Sequence, residues 1–126
     1  MGMDLKFFEK IGMSRAEIDV YLMLLKESPN TATSISKKTN LNRSHIYDTI
    51  TKLIEKGLAS SYEMNNVKYF SASNPEKITE HIKEVKDNAE KIVLELKKIK
   101  SSVQEESKVQ LFKGKNGLKT SSQGYN

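Results

Sequence analysis

The sequence predicts a mainly α chain on three observations. Residues 42–57 read as one amphipathic helix with its start and stop written in, and a shorter capped helix over 31–40 precedes it across a tight corner. After Gly57 the apolar period changes from helical to alternating, the mark of a hairpin. From Ile78 to Val103 apolar residues then step by four and three without a break. Together these predict a winged helix-turn-helix domain over residues 1–74 and a C-terminal coiled-coil dimerisation helix over 75–106, with a short strand-like segment and a disordered tail in 107–126.

Taken in order, residues 5–11 form a short amphipathic helix offering Leu5, Phe7, Phe8 and Ile11 to the core. Ser14-Arg15-Ala16-Glu17 is a capping box, in which hydroxyl and carboxylate satisfy the exposed donors of a helix start. The helix that follows runs to about Glu27, with Ala16, Val20, Tyr21, Leu24 and Leu25 on its buried side, and Pro29 forbids its continuation. Thr31 caps the next helix, and Asn40 suits the left-handed residue of the corner. Ile35, Leu41, Ile46, Ile50 and Leu53 supply the apolar set of the helix pair, with the small Ser36 where the second helix approaches.

Asn42 is the N-cap of that second helix and Gly57 its left-handed C′ residue. Ile46, Ile50, Leu53 and Ile54 require cover, while Ser44, His45, Asp48, Lys52 and Glu55 fall on the opposite side. In the hairpin, Leu58, Tyr62 and Met64 lie on one strand and Val67 and Tyr69 on the next, joined by a tight turn at Asn65-Asn66.

Asn74 caps and Pro75 opens a long helix. Its seam is Ile78, Ile82, Val85, Ala89, Ile92, Leu96, Ile99 and Val103. At about 1.5 Å per residue it is roughly 45 Å long, too long for so small a domain to bury. It needs a partner helix, the same helix of a second copy, with Glu95 and Lys100 as an interchain pair if the strands are parallel. The alternative is a helix folded back on residues 5–11 of its own chain. Val109-Gln110-Leu111-Phe112 reads as a short strand and 114–117 as a turn. Gly114-Lys115 lacks the rest of a phosphate loop, and 120–126 read as a disordered end.

The composition narrows the class. With 126 residues, 37% hydrophobic and 29% charged, the chain suits one small domain plus an extended element. It has no cysteine, hence no disulfide framework and no zinc finger. It shows no membrane-length apolar run and no signal-peptide core, which predicts a cytoplasmic protein, and Lys6 breaks a myristoylation pattern at Met1-Gly2. The net charge is +5, unevenly placed: residues 31–70 hold six bases and three acids, and 107–126 hold four bases and no acids. That excess on the reading unit and tail favours a polyanionic partner. His45 and His81 are the only histidines and no carboxylate cluster has metal spacing, so neither an enzyme nor a metal or cofactor is expected.

Two functional classes fit: a dimeric regulator reading double-stranded DNA, and a winged helix used as a protein-interaction module in a larger assembly. The polar exposed face of 42–56 favours the first, because a protein-docking face carries apolar anchors. Asn42, Arg43, Ser44, His45, Tyr47 and Lys52 are then expected at the major groove or its bordering phosphates. Thr31, Ser34 and Lys37 are expected on the flanking backbone, and Asn66 and Lys68 on the wing. Arg43 is the best base reader, since its planar fork binds guanine bidentately. The expected target is an inverted repeat.

These residues resemble the TrmB-type archaeal transcription regulators, whose best-known members respond to sugars. The resemblance covers about residues 5–105. It rests on Ile11-Gly12-Met13-Ser14-Arg15-Ala16-Glu17 with Val20-Tyr21-Leu22, on Thr31-Ala32 with Ile35-Ser36, and on Asn42-Arg43-Ser44-His45-Ile46-Tyr47-Asp48. It continues in Leu53-Ile54-Glu55-Lys56-Gly57-Leu58, Tyr69-Phe70-Ser71-Ala72 and Asn74-Pro75. Ser36 and Asn40 stand where Ala and Gly are usual, and His45 replaces a common Arg. Residues 109–114 are similar to the start of an effector-binding domain that is essentially absent. The resemblance implies DNA binding and dimerisation, without a small-molecule effector.

Overall fold

The structure, a computed structural model, describes residues 3–114, with side chains described through residue 105. Its elements in chain order are α1 (Leu5–Lys10), α2 (Arg15–Lys26), α3 (Ala32–Thr39), α4 (Arg43–Glu55), β1 (Ala59–Met64), β2 (Val67–Ala72) and α5 (Lys77–Gly114). This is the expected mainly helical chain, with a two-stranded antiparallel sheet after the helix pair and a long helix beyond it.

Each of the first four helices begins where a side chain supplies the acceptor that the first turn lacks. Asp4 accepts from Lys6 N, Ser14 from Glu17 N, Thr31 from Ser34 N and Asn42 from His45 N. The corner between α3 and α4 turns on Asn40, at φ 64°. The Ser36 hydroxyl donates to the Leu41 carbonyl there, so the small residue expected at the close approach also ties the corner. Gly57, at φ 78°, ends the turn after α4. In the hairpin Tyr62 stands opposite Tyr69 and Met64 opposite Val67. Asn65 and Asn66, at φ 53° and 63°, make the turn that a right-twisted two-residue hairpin needs.

The described residues divide into one compact unit that ends at Glu84 and a second that begins at Val85. The core of the first joins Phe8, Met13, Ile18, Val20, Tyr21, Leu24, Ile35, Ile46, Ile50, Leu53, Leu58 and Phe70. Ile78 packs against this cluster, so the unit takes in the first turns of α5. Asn30 bridges Phe70 through both backbone hydrogen bonds, each 2.8 Å, and so anchors β2 beside the start of α3.

Several expectations about faces are corrected. Phe7, Leu25 and Ile54 are exposed, while Ile18 and Thr49 are buried in their helices. On β2 the core residue is Phe70, with Tyr69 on the opposite face. A stripe read from spacing alone is free to rotate by one residue, and the neighbouring element decides which edge is covered. Residues 109–112, expected as a strand, lie inside α5. A lone strand leaves its ladder groups unpaired, whereas extending an existing helix satisfies them within the segment. The turn and tail expected after residue 114 lie outside the described residues.

In the second unit Val85, Ala89, Ile92, Leu96, Ile99 and Val103 are all exposed, as are Val93 and Leu94. Ile78 and Ile82, the first two positions of the expected seam, are half-buried and belong to the compact unit. Among the described residues no helix is long and apolar enough to cross a membrane.

Candidate nucleic-acid interface

The site is built on α4, whose inner side carries Ile46, Thr49, Ile50 and Leu53, all buried. With that side fixed, helical geometry turns Arg43, Ser44, His45, Tyr47, Asp48 and Lys52 to solvent, and all six are exposed. Asn42 is exposed too, but its Oδ1 accepts from His45 N at 2.8 Å, so its first role is to start the helix. Only its amide nitrogen is left over as a donor.

Arg43 lies along its own helix. Its Nη2 donates to Tyr47 Oη at 3.1 Å, and the guanidinium carbon is 5.7 Å from the Tyr47 ring centroid. One face of the Tyr47 ring thus supports the cation, while the ring also meets Phe70 of β2 edge-on at 6.0 Å between centroids. Thr51 Oγ1 donates to the Tyr47 carbonyl at 2.9 Å. The hydrogen bonds and ring contacts around Tyr47 therefore link the arginine, the helix and the sheet. Lys52 stands 3.7 Å from Asp48 one turn away, a solvent-exposed pair that a competing phosphate displaces at little cost.

The flanking residues divide. Thr31 and Ser34 are half-buried, with Thr31 Oγ1 engaged by Ser34 N at 3.2 Å, whereas Lys37 is exposed. Lys38, which the sequence reading did not assign, forms an ion pair with Glu27. That cation holds the Glu27 carboxyl below its ordinary range. On the hairpin Asn66 sits in the turn, and Lys68 is exposed directly opposite Glu63, so its charge is balanced locally.

Two features escaped the sequence reading. Glu17, read as a capping-box residue, is buried and accepts from Lys56 Nζ at 2.7 Å, an ion pair joining the start of α2 to the C-cap of α4. The Ser14 hydroxyl also donates to Glu17, at 3.3 Å. The partners are 39 residues apart, and no local pattern links them. The second feature is the hairpin's solvent face. Tyr62 and Tyr69 stack there at 5.5 Å and 21°, with Met64 and Val67 beyond them, and the alternation that set this face was legible although its outward direction was not.

A helix pair joined by a left-handed corner, a second helix with one covered and one polar face, and a hairpin bound to that helix define a winged-helix regulator fold. The chain belongs to the family described as the sugar-specific transcriptional regulator TrmB, whose model matches residues 8–76. It is similar to the HTH-type sugar sensing transcriptional regulator TrmBL1 of Pyrococcus furiosus, with 28% identity over 101 residues, 80% of this chain and 28% of that protein. Among solved structures it resembles TrmBL2, described as an archaeal chromatin protein, at TM-score 0.67 and 18% identity, covering 85% of this chain and 41% of that one. A possible transcriptional regulator from Methanosarcina mazei Go1 aligns at TM-score 0.54 and 22% identity, over 70% of this chain and 80% of that one. The two structural likenesses establish the fold. The chain spans under a third of the curated relative's length.

Proposed function

We propose that this chain is a sequence-specific, double-stranded DNA-binding regulator that acts as a homodimer on an inverted repeat. The observation that carries the reading is the division of α4: an apolar inner side, and an outer side dominated by polar groups, Arg43, Ser44, His45, Tyr47 and Lys52, with Ile54 the one aliphatic side chain exposed among them. Base edges and phosphates are matched by such donors, and a helix of this size fits the major groove. Arg43 reads a base, with the Tyr47 ring setting its direction, and Lys37 and Lys52 meet phosphates. Val85, Ala89, Ile92, Leu96, Ile99 and Val103 pair with the same helix of a second copy, which places two reading heads on one site. Sugar sensing is a property in the name of the relative, and the proposal for this chain comprises DNA reading and pairing.

The test is affinity for a duplex selected from a random-sequence pool, titrated against salt. A phosphate-contacting protein loses affinity log-linearly, by about 0.9 of a log unit per log unit of salt for each phosphate neutralised. A flat salt profile would refute the reading. Arg43→Ala is expected to cost about 1–3 kcal/mol and to relax specificity at one position, while Lys52→Ala weakens every sequence alike.

A further inference from the structure

The hairpin has two outer edges, and the fold closes one of them. Phe70 turns its backbone N–H and C=O away from β1 and exchanges both hydrogen bonds with Asn30, each 2.8 Å. In an antiparallel ladder these groups alternate inward and outward along a strand, and residues standing opposite each other share the alternation. Ser61 stands opposite Phe70, so Ser61, and Glu63 two residues on, turn their N–H and C=O to the outer edge of β1. No described residue takes up those groups. Every residue from Ser60 to Lys68 is exposed, so this edge is also uncovered.

An open edge is ordinarily defended, since a lysine, a proline or a bulge discourages another chain from pairing there. β1 has none of these: Ala59–Met64 holds one charge, Glu63, and pairs residue for residue with β2. Its solvent face adds an attraction. A sheet face turned to water ordinarily carries polar side chains, whereas here Tyr62, 46% exposed, stacks on Tyr69 with Met64 and Val67 beyond them.

We infer that the outer edge of β1 pairs with the same edge of a second copy of this chain, antiparallel about a two-fold axis through Tyr62. Self-complementarity selects this occupant. Pairing centred on Tyr62 sets Ser61 opposite Glu63 of the second copy and Glu63 opposite its Ser61, so the outward groups of both residues exchange hydrogen bonds. Moving the centre to Glu63 sets two carboxylates against each other, which is unfavourable. Moving it to Ser61 draws in Ala59, which is buried. A centre between two residues joins opposite faces of the sheet. With Tyr62 at the centre, its ring meets its own counterpart at the closely spaced, non-hydrogen-bonded position, and Tyr69, Tyr62 and their copies form one row across a four-stranded sheet. The contact is small. Six residues a side fall well short of the roughly 20–30 a side of a stable interface, so the edges join weakly alone and firmly where another contact already holds two copies close. The pairing is independent of the DNA reading and uses none of the α5 stripe.

The chain has no cysteine, so single cysteines report the register. At about 1 mM protein under mild oxidation, Tyr62→Cys is expected to form an intermolecular disulfide, because opposite Cβ atoms at that position lie about 4.5–5.5 Å apart. Ser60→Cys and Met64→Cys face each other across the axis instead of themselves, so each alone is expected to link at least about tenfold more slowly, and a mixture of the two to link across. Ser61→Pro removes one outward N–H and leaves the ladder to β2 intact; combined with Tyr62→Cys it is expected to abolish the link at an unchanged melting temperature. The same order of linking is expected in the Ile92→Glu, Leu96→Glu background, which separates this contact from any pairing of α5. In the wild type, the Ser61 and Glu63 amides are expected to gain protection from hydrogen exchange as the protein is concentrated from micromolar to millimolar. Linking at position 60 or 64 as fast as at 62 overturns the pairing. Exchange at Ser61 and Glu63 that ignores concentration also overturns it and leaves the edge to a strand of another protein.

Discussion

Helices α4 and α5 carry the same kind of apolar spacing and meet opposite fates. In α4, Ile46, Ile50 and Leu53 are buried by α2, α3 and the hairpin that follow from the same short stretch of chain. In α5, Ile92 and Leu96 are each 55% exposed and Ile99 is 61% exposed. The difference lies in supply, since the compact unit has enough elements to cover one stripe and no described element covers the other. Burial of a Leu or Ile side chain is worth about 1.5–3 kcal/mol, so a repeated uncovered stripe is a strong driving force for association. Spacing announces that a face requires cover; it does not say from which chain the cover comes.

The comparison breaks most visibly on charge. Ile92→Glu with Leu96→Glu is expected to leave the fold of the compact unit untouched, because neither side chain is covered among the described residues. If the stripe pairs with a second copy, each desolvated charge costs several kcal/mol, and sedimentation is expected to show monomers with collapsed affinity for the full palindrome. A wild type that sediments as a monomer at micromolar concentration would end the pairing proposal. On α4 the equivalent test is truncation: Leu53→Ala is expected to lower unfolding free energy by about 2–5 kcal/mol in a denaturant titration, without altering the sedimentation of what remains folded.

A smaller loss is expected from Glu17→Ala. It strips the partner from Lys56 in the ion pair that ties α2 to the C-cap of α4, and about 3 kcal/mol is the expectation for breaking such a pair, reduced because Lys56 keeps some contact with water. The variant is also expected to loosen the C-terminal turn of α4, seen as faster amide exchange there. If stability and exchange are unchanged, the pair is ornamental.

The smallest effects are titrations. Burial pushes the Tyr21 hydroxyl above its ordinary value of 10.0, and the hydroxyl has no hydrogen-bond partner among the described residues. The unfolded chain therefore ionises first, and stability present below pH 10 falls as pH rises beyond it. Tyr21→Phe is expected to flatten that alkaline decline without loss at neutral pH, because it removes an unsatisfied buried hydroxyl. At the acid end, the Lys38 hydrogen bond and charge lower the Glu27 value, so that contribution is present above 4.5 and lost as pH falls through the depressed value. The pair is exposed, and high salt is expected to erase the effect.

The particular elements show where sequence sufficed. Ser14, Thr31 and Asn42 cap helices, Asn40, Asn65, Asn66 and Gly57 take left-handed backbone, and each does so through groups within four residues of itself. Capping and turn chemistry are local, so residue type and spacing determine them, and with them the order of helix, corner, helix, hairpin and long helix. The polar outer side of α4 followed from the same periodicity. Tertiary structure decided the rest. It turned Thr49 inward and Ile54 outward, chose Phe70 over Tyr69 for the core, joined Glu17 to Lys56 across the fold, and bridged Asn30 to Phe70. Those outcomes depend on which surface arrives from far along the chain, and a free energy of contact between distant residues leaves no trace in the local pattern of either.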